Sequence, residues 1–228
     1  MRRSDDRSGR RTAADEVFER LHEDIATLRL TPGTKLSEVE IAKRLDVSRQ
    51  PVREAFIRLH ELELLRVRPQ KATEVRRISE SAVRASRFIR TAVEVEVLRE
   101  ACARPLGALE KAFVKNLAQQ RKAVESERIE RFEALDYRFH HLLCRAAERE
   151  FAYDTIAAGK SQVSRLCLLG LAERGELSDT LEDHRQIYEA VREGREARAV
   201  ALMRHHLSRV ERVLGHVRES HSAYFEEH

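Results

Sequence analysis

The sequence has no tryptophan, aromatic residues make up only 5% of it, and its three cysteines, Cys102, Cys144 and Cys167, lie far apart. So few aromatic residues, with apolar spacings of three and four along most of the chain, make extensive sheet a poor fit and point to amphipathic helices. Three scattered cysteines exclude a disulfide framework and a cysteine-type zinc site, and their apolar helical surroundings read as core filling. No apolar run approaches the roughly 18 residues that cross a bilayer, and the Arg-rich start lacks the apolar core of a signal peptide. These absences give the expectation of a cytoplasmic protein with no membrane partner. A length of 228 residues suits two modest domains, each burying its own core.

Charge is plentiful, at 36% of residues, and it is unevenly placed. Residues 1–77 hold 18 Lys and Arg against 14 Asp and Glu, whereas residues 78–228 hold 25 of each. The net charge of +4 therefore belongs to the N-terminal third, which favours a nucleic-acid partner for that segment alone.

Residues 1–11 lack apolar periodicity and read as a disordered basic arm, with a first domain over 12–77 and a second over 78–228. Val17, Leu21, Ile25 and Leu28 repeat on one face, which predicts a first helix over 13–28. Pro32-Gly33 makes a turn. Ser37 followed by Glu40 has capping-box spacing and opens a short helix ending near Leu45. Asp46-Val47 is a tight connection, Ser48 caps the next helix, and Val52, Ala55, Phe56, Leu59 and Leu62 form its buried stripe. Arg49 and Arg53 lie on its outer face. A short helix, a tight turn and a second helix with early arginines is the arrangement that carries base-reading side chains into a major groove, and Arg suits the paired acceptors of guanine. Leu64 to Arg68 and Lys71 to Val75, around a Pro69-Gln70 turn, read as the two strands of a wing with Lys71 near its tip.

The segment LSEVEIAKRLDVSRQPVREAFIRLHELELL, residues 36–65, resembles the DNA-binding domain of the GntR family of transcription regulators, above all in SRQPVREA. The resemblance spans Leu30 to about Val75 and implies that Arg44, Ser48, Arg49, Gln50, Arg53 and Lys71 contact DNA. It departs from the family pattern at Ala72, where a glycine commonly follows the basic residue of the wing.

From Ser79 onward, helices are expected over 79–102, 105–125, 128–148, 151–170, 178–193 and 196–220, with breaks at Gly175 and Gly194 and a cap at Ser178. Short connections imply an antiparallel bundle. The fold class is thus mainly α: an N-terminal winged helix-turn-helix and a C-terminal all-α bundle. Certain polar residues fall on the apolar stripes, and a buried polar group requires a partner. Phe132, Asp136, Phe139, His140 and Leu143 share one face, His184 lies on the stripe of Leu181, Ile187, Tyr188 and Val191, and His206 aligns with Met203, Val210 and Val213. Their neighbours His141 and His205 fall among arginines on the opposite faces. Three histidines and one carboxylate pointing inward from three helices suit a divalent metal such as zinc, nickel, manganese or iron.

DYRFH (136–140), EDH (182–184) and MRHHL (203–207) resemble, in order and approximate spacing, the metal-ligand motifs of the FCD effector domain in the FadR-type branch of the same family. That resemblance implies a small organic-acid or sugar-acid effector held beside the metal with help from Arg90, and because one recognition helix reads few bases, a homodimer on a near-palindromic double-stranded operator is expected. Arg90 can equally be read as a salt bridge to Glu94 one turn on. The branch member that binds acyl-CoA lacks the metal set, so its presence argues against that ligand. Two further readings stand beside the effector-controlled repressor: a regulator for which the ion itself is the signal, and a metal-dependent hydrolytic enzyme.

Overall fold

A computed structural model describes residues 11–68, 72–174 and 176–226, apart from the side chains at 161, 162 and 171–174. The chain forms two compact units that divide between Arg77 and Ile78. The basic arm up to residue 10, the Pro69-Gln70 turn, Lys71 and Gly175 lie outside the described residues.

In the first unit, helix α1 (Ala13–Ala26) starts from a capping box in which Thr12 Oγ1 accepts from the Asp15 amide at 3.1 Å and the Asp15 carboxylate accepts from the Thr12 amide at 3.0 Å. Leu28, expected as its last residue, lies beyond the helix with φ of 58°, where the chain turns away. Helix α2 (Glu38–Leu45) and helix α3 (Arg49–Glu61) are joined through Asp46, whose left-handed φ of 52° lets the chain reverse within three residues. Ser37 and Ser48 occupy the expected cap positions with extended backbone, yet neither hydroxyl makes a capping hydrogen bond, so the Ser37–Glu40 box is not formed. The residues before Ser37 belong to a strand, and sheet pairing rather than a side-chain cap sets the entry to α2. That strand, β1 (Lys35–Leu36), is the element the sequence did not announce. With β2 (Leu65–Arg66) and β3 (Thr73–Val75) it forms an antiparallel sheet of order β1-β3-β2, with Leu36 opposite Thr73 and Leu65 opposite Val75. Val17, Leu21, Ile25, Ile41, Val52, Phe56, Leu59, Leu65 and Val75 bury into one core that holds helices and wing together.

The second unit consists of α4 (Glu80–Cys102), α5 (Leu109–Glu125), α6 (Ile129–Ala146), α7 (Ala152–Arg174), α8 (Glu176–Arg192) and α9 (Glu196–Ser220). Helix α5 begins later than expected because Pro105 and Gly107, the latter at φ of 52°, hold the chain in a turn. Ser178 lies inside the first turn of α8 and does not cap it. Helix α4 packs on α7 and α9, α5 on α6 and α8, and α8 on α9. The largest core joins Leu98, Phe113, Phe139, Leu143, Ile187, Val191 and Met203, and a second joins Val163, Leu166, Val210, Val213 and Val217. Cys144 is fully buried in the largest core, and Cys102 and Cys167, partly buried, pack against the edges of the two cores. A short turn at Ser222–Tyr224 brings the chain back to Ile78, whose N–H donates to Tyr224 O at 2.8 Å and whose carbonyl accepts from Glu226 N at 3.0 Å.

Helices α7 and α9 approach closely at Gly170, where an added Cβ would stand 2.4 Å from Val213 Cγ1. Alanine in a helix interior is normally favoured over glycine by up to about 1 kcal/mol, but a β-branched neighbour is stiff at χ1 and cannot swing aside. Gly170→Ala is therefore expected to lower stability by about 1–3 kcal/mol in chemical denaturation. Val213→Ala made in the same chain should recover part of that loss. A stabilising Gly170→Ala would show that the helices separate there at little cost.

Candidate functional site

The outer face of α3 presents Arg49, Gln50 and Arg53 to solvent, beside an exposed Ser48 whose hydroxyl is not engaged in capping. Both arginines converge on one carboxylate that sequence reasoning did not single out: Arg49 Nη2 and Arg53 Nη2 each lie 3.1 Å from Glu38 Oε2. Hydrogen bonding from Arg53, with Arg49 adding to it against some desolvation, holds the Glu38 carboxyl below its ordinary range. Glu38 is in the first turn of α2, so the pair of helices orients the two guanidiniums together. Gln50 donates to Glu54 at 2.9 Å, and Arg44 stands 3.5 Å from Asp24. Lys71 lies outside the described residues.

In the helical unit, Asp136 and His140 of α6, His184 of α8 and His206 of α9 each offer one ligand atom, and these atoms all lie within 4.8 Å of one another. The ring centroids of the three histidines are 4.8 to 5.7 Å apart. His205 is exposed, and His141 turns instead to Tyr153, at 4.4 Å between ring centroids.

The surroundings fix how each ligand faces. His184 Nδ1 is 2.8 Å from Gln120 Oε1, and Gln120 donates its amide to Asn116 Oδ1 at 2.7 Å, so His184 must donate from Nδ1. Its Nε2 lone pair is left pointing at the cluster, buried, 3.2 Å from Asp136 Oδ1 and without a hydrogen bond. His140 Nδ1 is 2.5 Å from Glu94 Oε2, which leaves Nε2 facing inward. A metal-binding imidazole ordinarily anchors its second nitrogen on a carboxylate or carbonyl in this way. Burial lowers the His184 imidazole to about 4, against the pull of Asp136, and burial lowers His140 as well, so both favour the neutral form that binds metal. Burial opposes charge on Asp136 too, yet Lys160 in contact with Oδ2 holds it well below the usual carboxylate range while Oδ1 faces the histidines. His206 Nδ1 lies 3.4 Å from Asp183, whose carboxylate takes Arg209 at 2.5 and 3.0 Å.

A cavity of about 90 Å3 adjoins the cluster and is lined by Arg90, Glu133, Asp136, Lys160, Cys167 and His206, among others. At roughly 10–15 Å3 for each water-sized group, it has room for a molecule of a few carbons. Arg90 is a buried ion pair with Glu94, Nε to Oε1 at 2.8 Å, and it is also a wall of the cavity, with Nη2 3.4 Å from His140 Nε2. Burial alone would raise Glu94, but Arg90 and His140 hold it at about 2. Arg90 is positioned by close packing: a Cβ on Gly159 of α7 would lie 3.1 Å from Arg90 Cγ, and Ser86 Oγ donates to Gly159 O at 2.6 Å.

Sequence reasoning missed Glu94 as the anchor of His140, Gln120 and Asn116 as the anchor of His184, and Lys160. Asn116 and Gln120 were open to discovery, because they lie one turn apart on the buried face of Phe113 and Ala123. Lys160 was not, since α7 is apolar on several sides and offers no stripe against which a cation stands out.

The family described as "Bacterial regulatory proteins, gntR family" matches residues 13–75, and the "FCD domain" family matches residues 87–209. The chain is 36% identical over 213 residues to the HTH-type transcriptional repressor RspR of Escherichia coli, covering 93% of each chain. It is 31% identical over 199 residues to a probable D-xylose utilization operon transcriptional repressor of Paenarthrobacter nicotinovorans, covering 87% of each. The fold is also that of E. coli McbR/YncC, with a TM-score of 0.79 and 18% identity over 91% of this chain and 99% of that one. These relatives are transcription regulators, which sets the hydrolytic reading aside. The chain belongs to the GntR family of bacterial regulatory proteins: it is a DNA-binding transcription regulator whose helical unit is an FCD domain.

Proposed function

We propose that the protein is a repressor that binds a near-palindromic operator as a homodimer in the cytoplasm, and that a small organic or sugar acid held at a divalent ion in the helical unit changes its operator affinity. The observation that carries this reading is the convergence of Asp136, His140, His184 and His206 beside a cavity walled by Arg90. Three imidazoles and a carboxylate fit zinc, nickel, manganese or iron, and the inward lone pair of His184 Nε2 has no hydrogen-bond partner among the described residues. The bound ion would supply open coordination positions for carboxylate or hydroxyl oxygens. Arg90, with Nε committed to Glu94, turns the rest of its guanidinium to the same space for a charge-assisted contact. Repressor function is supported by the names of the relatives.

Dimerisation is supported by apolar surface left open on the helical unit, where Phe88 is 75% and Phe151 76% exposed. One recognition helix reads few bases, and two-fold protein symmetry matches two-fold DNA. Selection from a random duplex pool is expected to return a near-palindrome occupied by two chains. Arg53→Ala should cost about 1–3 kcal/mol on that site and relax its base preference, Lys71→Ala should weaken all sequences alike, and Phe88→Asp should shift sedimentation toward the monomer. Equal losses on selected and random DNA for Arg53→Ala would remove its base-reading role.

Purified protein is expected to hold about one divalent ion per chain by elemental analysis. His184→Ala and His206→Ala should each lower that content and His205→Ala should not; unchanged metal in the first two would end the assignment of the site. If chelation alone changes operator affinity and no acid does, the ion is the signal and the acid has no part.

With metal retained, titration of organic and sugar acids against labelled operator should identify compounds that shift DNA affinity. Arg90→Lys keeps a cation beside Glu94 but loses the two-pronged contact, and should weaken the acid by about 1.5–3 kcal/mol. A variant that responds as the parent does would make Arg90 a purely structural ion pair.

A further inference from the structure

Glu133 is one helical turn before Asp136 on α6 and is a wall of the same cavity. Its Oε1 is buried and has no hydrogen-bond partner among the described residues. The nearby Ser164 hydroxyl donates to Lys160 O at 3.1 Å, and Lys160, the nearby cation, is committed to Asp136. Native interiors leave few acceptors unmet, and each one that persists calls for a partner absent from the protein itself. The other polar groups that wall the cavity include Arg90, which suits an acid, and the cations Arg87 and Lys160, which are paired with Glu211 and Asp136. A carboxylate among them does not suit the acid group. It suits a proton donor carried elsewhere on the same small molecule.

Resting on the reading of this cavity as an acid site, we propose that Glu133 accepts a hydrogen bond from a hydroxyl or ammonium group of the bound acid. The effector is then a short acid that bears such a donor, in preference to a plain carboxylic acid of the same length. Discrimination arises because a ligand without the donor enters the cavity and leaves Glu133 Oε1 unmet in a place from which water has been displaced. Glu133 is therefore a specificity-determining residue, distinct from the four side chains that would hold the ion.

The test is calorimetry on the full-length, metal-loaded protein with two matched sets of acids: propionate, lactate and alanine, and succinate, malate and aspartate. Within whichever set binds, the hydroxy or amino member is expected to bind about tenfold tighter or more than the plain acid. Glu133→Leu should bring that ratio close to one. Glu133→Gln, which keeps the shape and one carbonyl acceptor, should give an intermediate ratio and guards against a leucine variant that fails to fold. Comparison of lactate with alanine, or of malate with aspartate, tells the hydroxyl from the ammonium as the donor. Acids that bind the parent without regard to the donor, or a ratio unmoved by either substitution, would overturn the role of Glu133 while leaving the acid site in place. Absence of binding by all six acids and by the sugar acids gluconate and galacturonate, with metal present, would overturn the acid site and this inference with it.

Discussion

The interior of the helical unit depends on one carboxylate, that of Glu94. Its two oxygens divide the work: Oε1 takes the guanidinium of Arg90 and Oε2 takes Nδ1 of His140, all three groups being buried. An unpaired charge at such depth would cost several kcal/mol, so Arg90 could not lie where it does without this partner, and the neutral His140 would be left with an unmet Nδ1–H. The same contact chooses the tautomer of His140 and aims its other nitrogen at the cluster. Gln120 and Asn116 do for His184, with neutral groups, what Glu94 does for His140, and Asn116 is itself held to the Leu135 carbonyl at 3.0 Å. The helical backbone thus places the candidate ligands, and a second layer of polar side chains fixes which atom each presents.

Much of this was legible in the sequence, for a definite reason. The helices that carry Asp136, His140, His184 and His206 are long, and over several turns a period of 3.6 leaves little doubt about which residues face inward; the inward residue of each neighbouring His pair followed from phase alone. What escaped depends on contacts between distant parts of the chain. Strand β1 is two residues long and exists because β3 pairs with it. The hydroxyls of Ser37 and Ser48 stand at the right positions but their capping bonds are not made, since a propensity for a cap does not decide where the preceding strand points the chain. Lys160 left no trace in the pattern, because a helix buried on several sides has no polar face to define the exception. Arg90 posed a choice between ligand contact and an ion pair with Glu94; the ion pair is present, and Arg90 also lines the cavity.

The DNA-facing unit obeys a related economy of charge. Arg49 and Arg53 both lean on Glu38, so the most exposed cations of the recognition helix are already oriented in the absence of DNA. Pairs this exposed contribute little to stability. Their effect is to restrict two long, flexible side chains to neighbouring directions.

Helix α9 has a mechanical role that its sequence of side chains does not suggest. At 25 residues it is a rod roughly 37 Å long. It carries His206 in its middle, and beyond its end the returning tail grips Ile78 through both backbone groups. Ile78 is the first residue of the helical unit and is covalently joined to Arg77, the last of the DNA-binding unit. Backbone hydrogen bonds thus tie the stretch of chain that follows α9 to the very residue at which one unit gives way to the other.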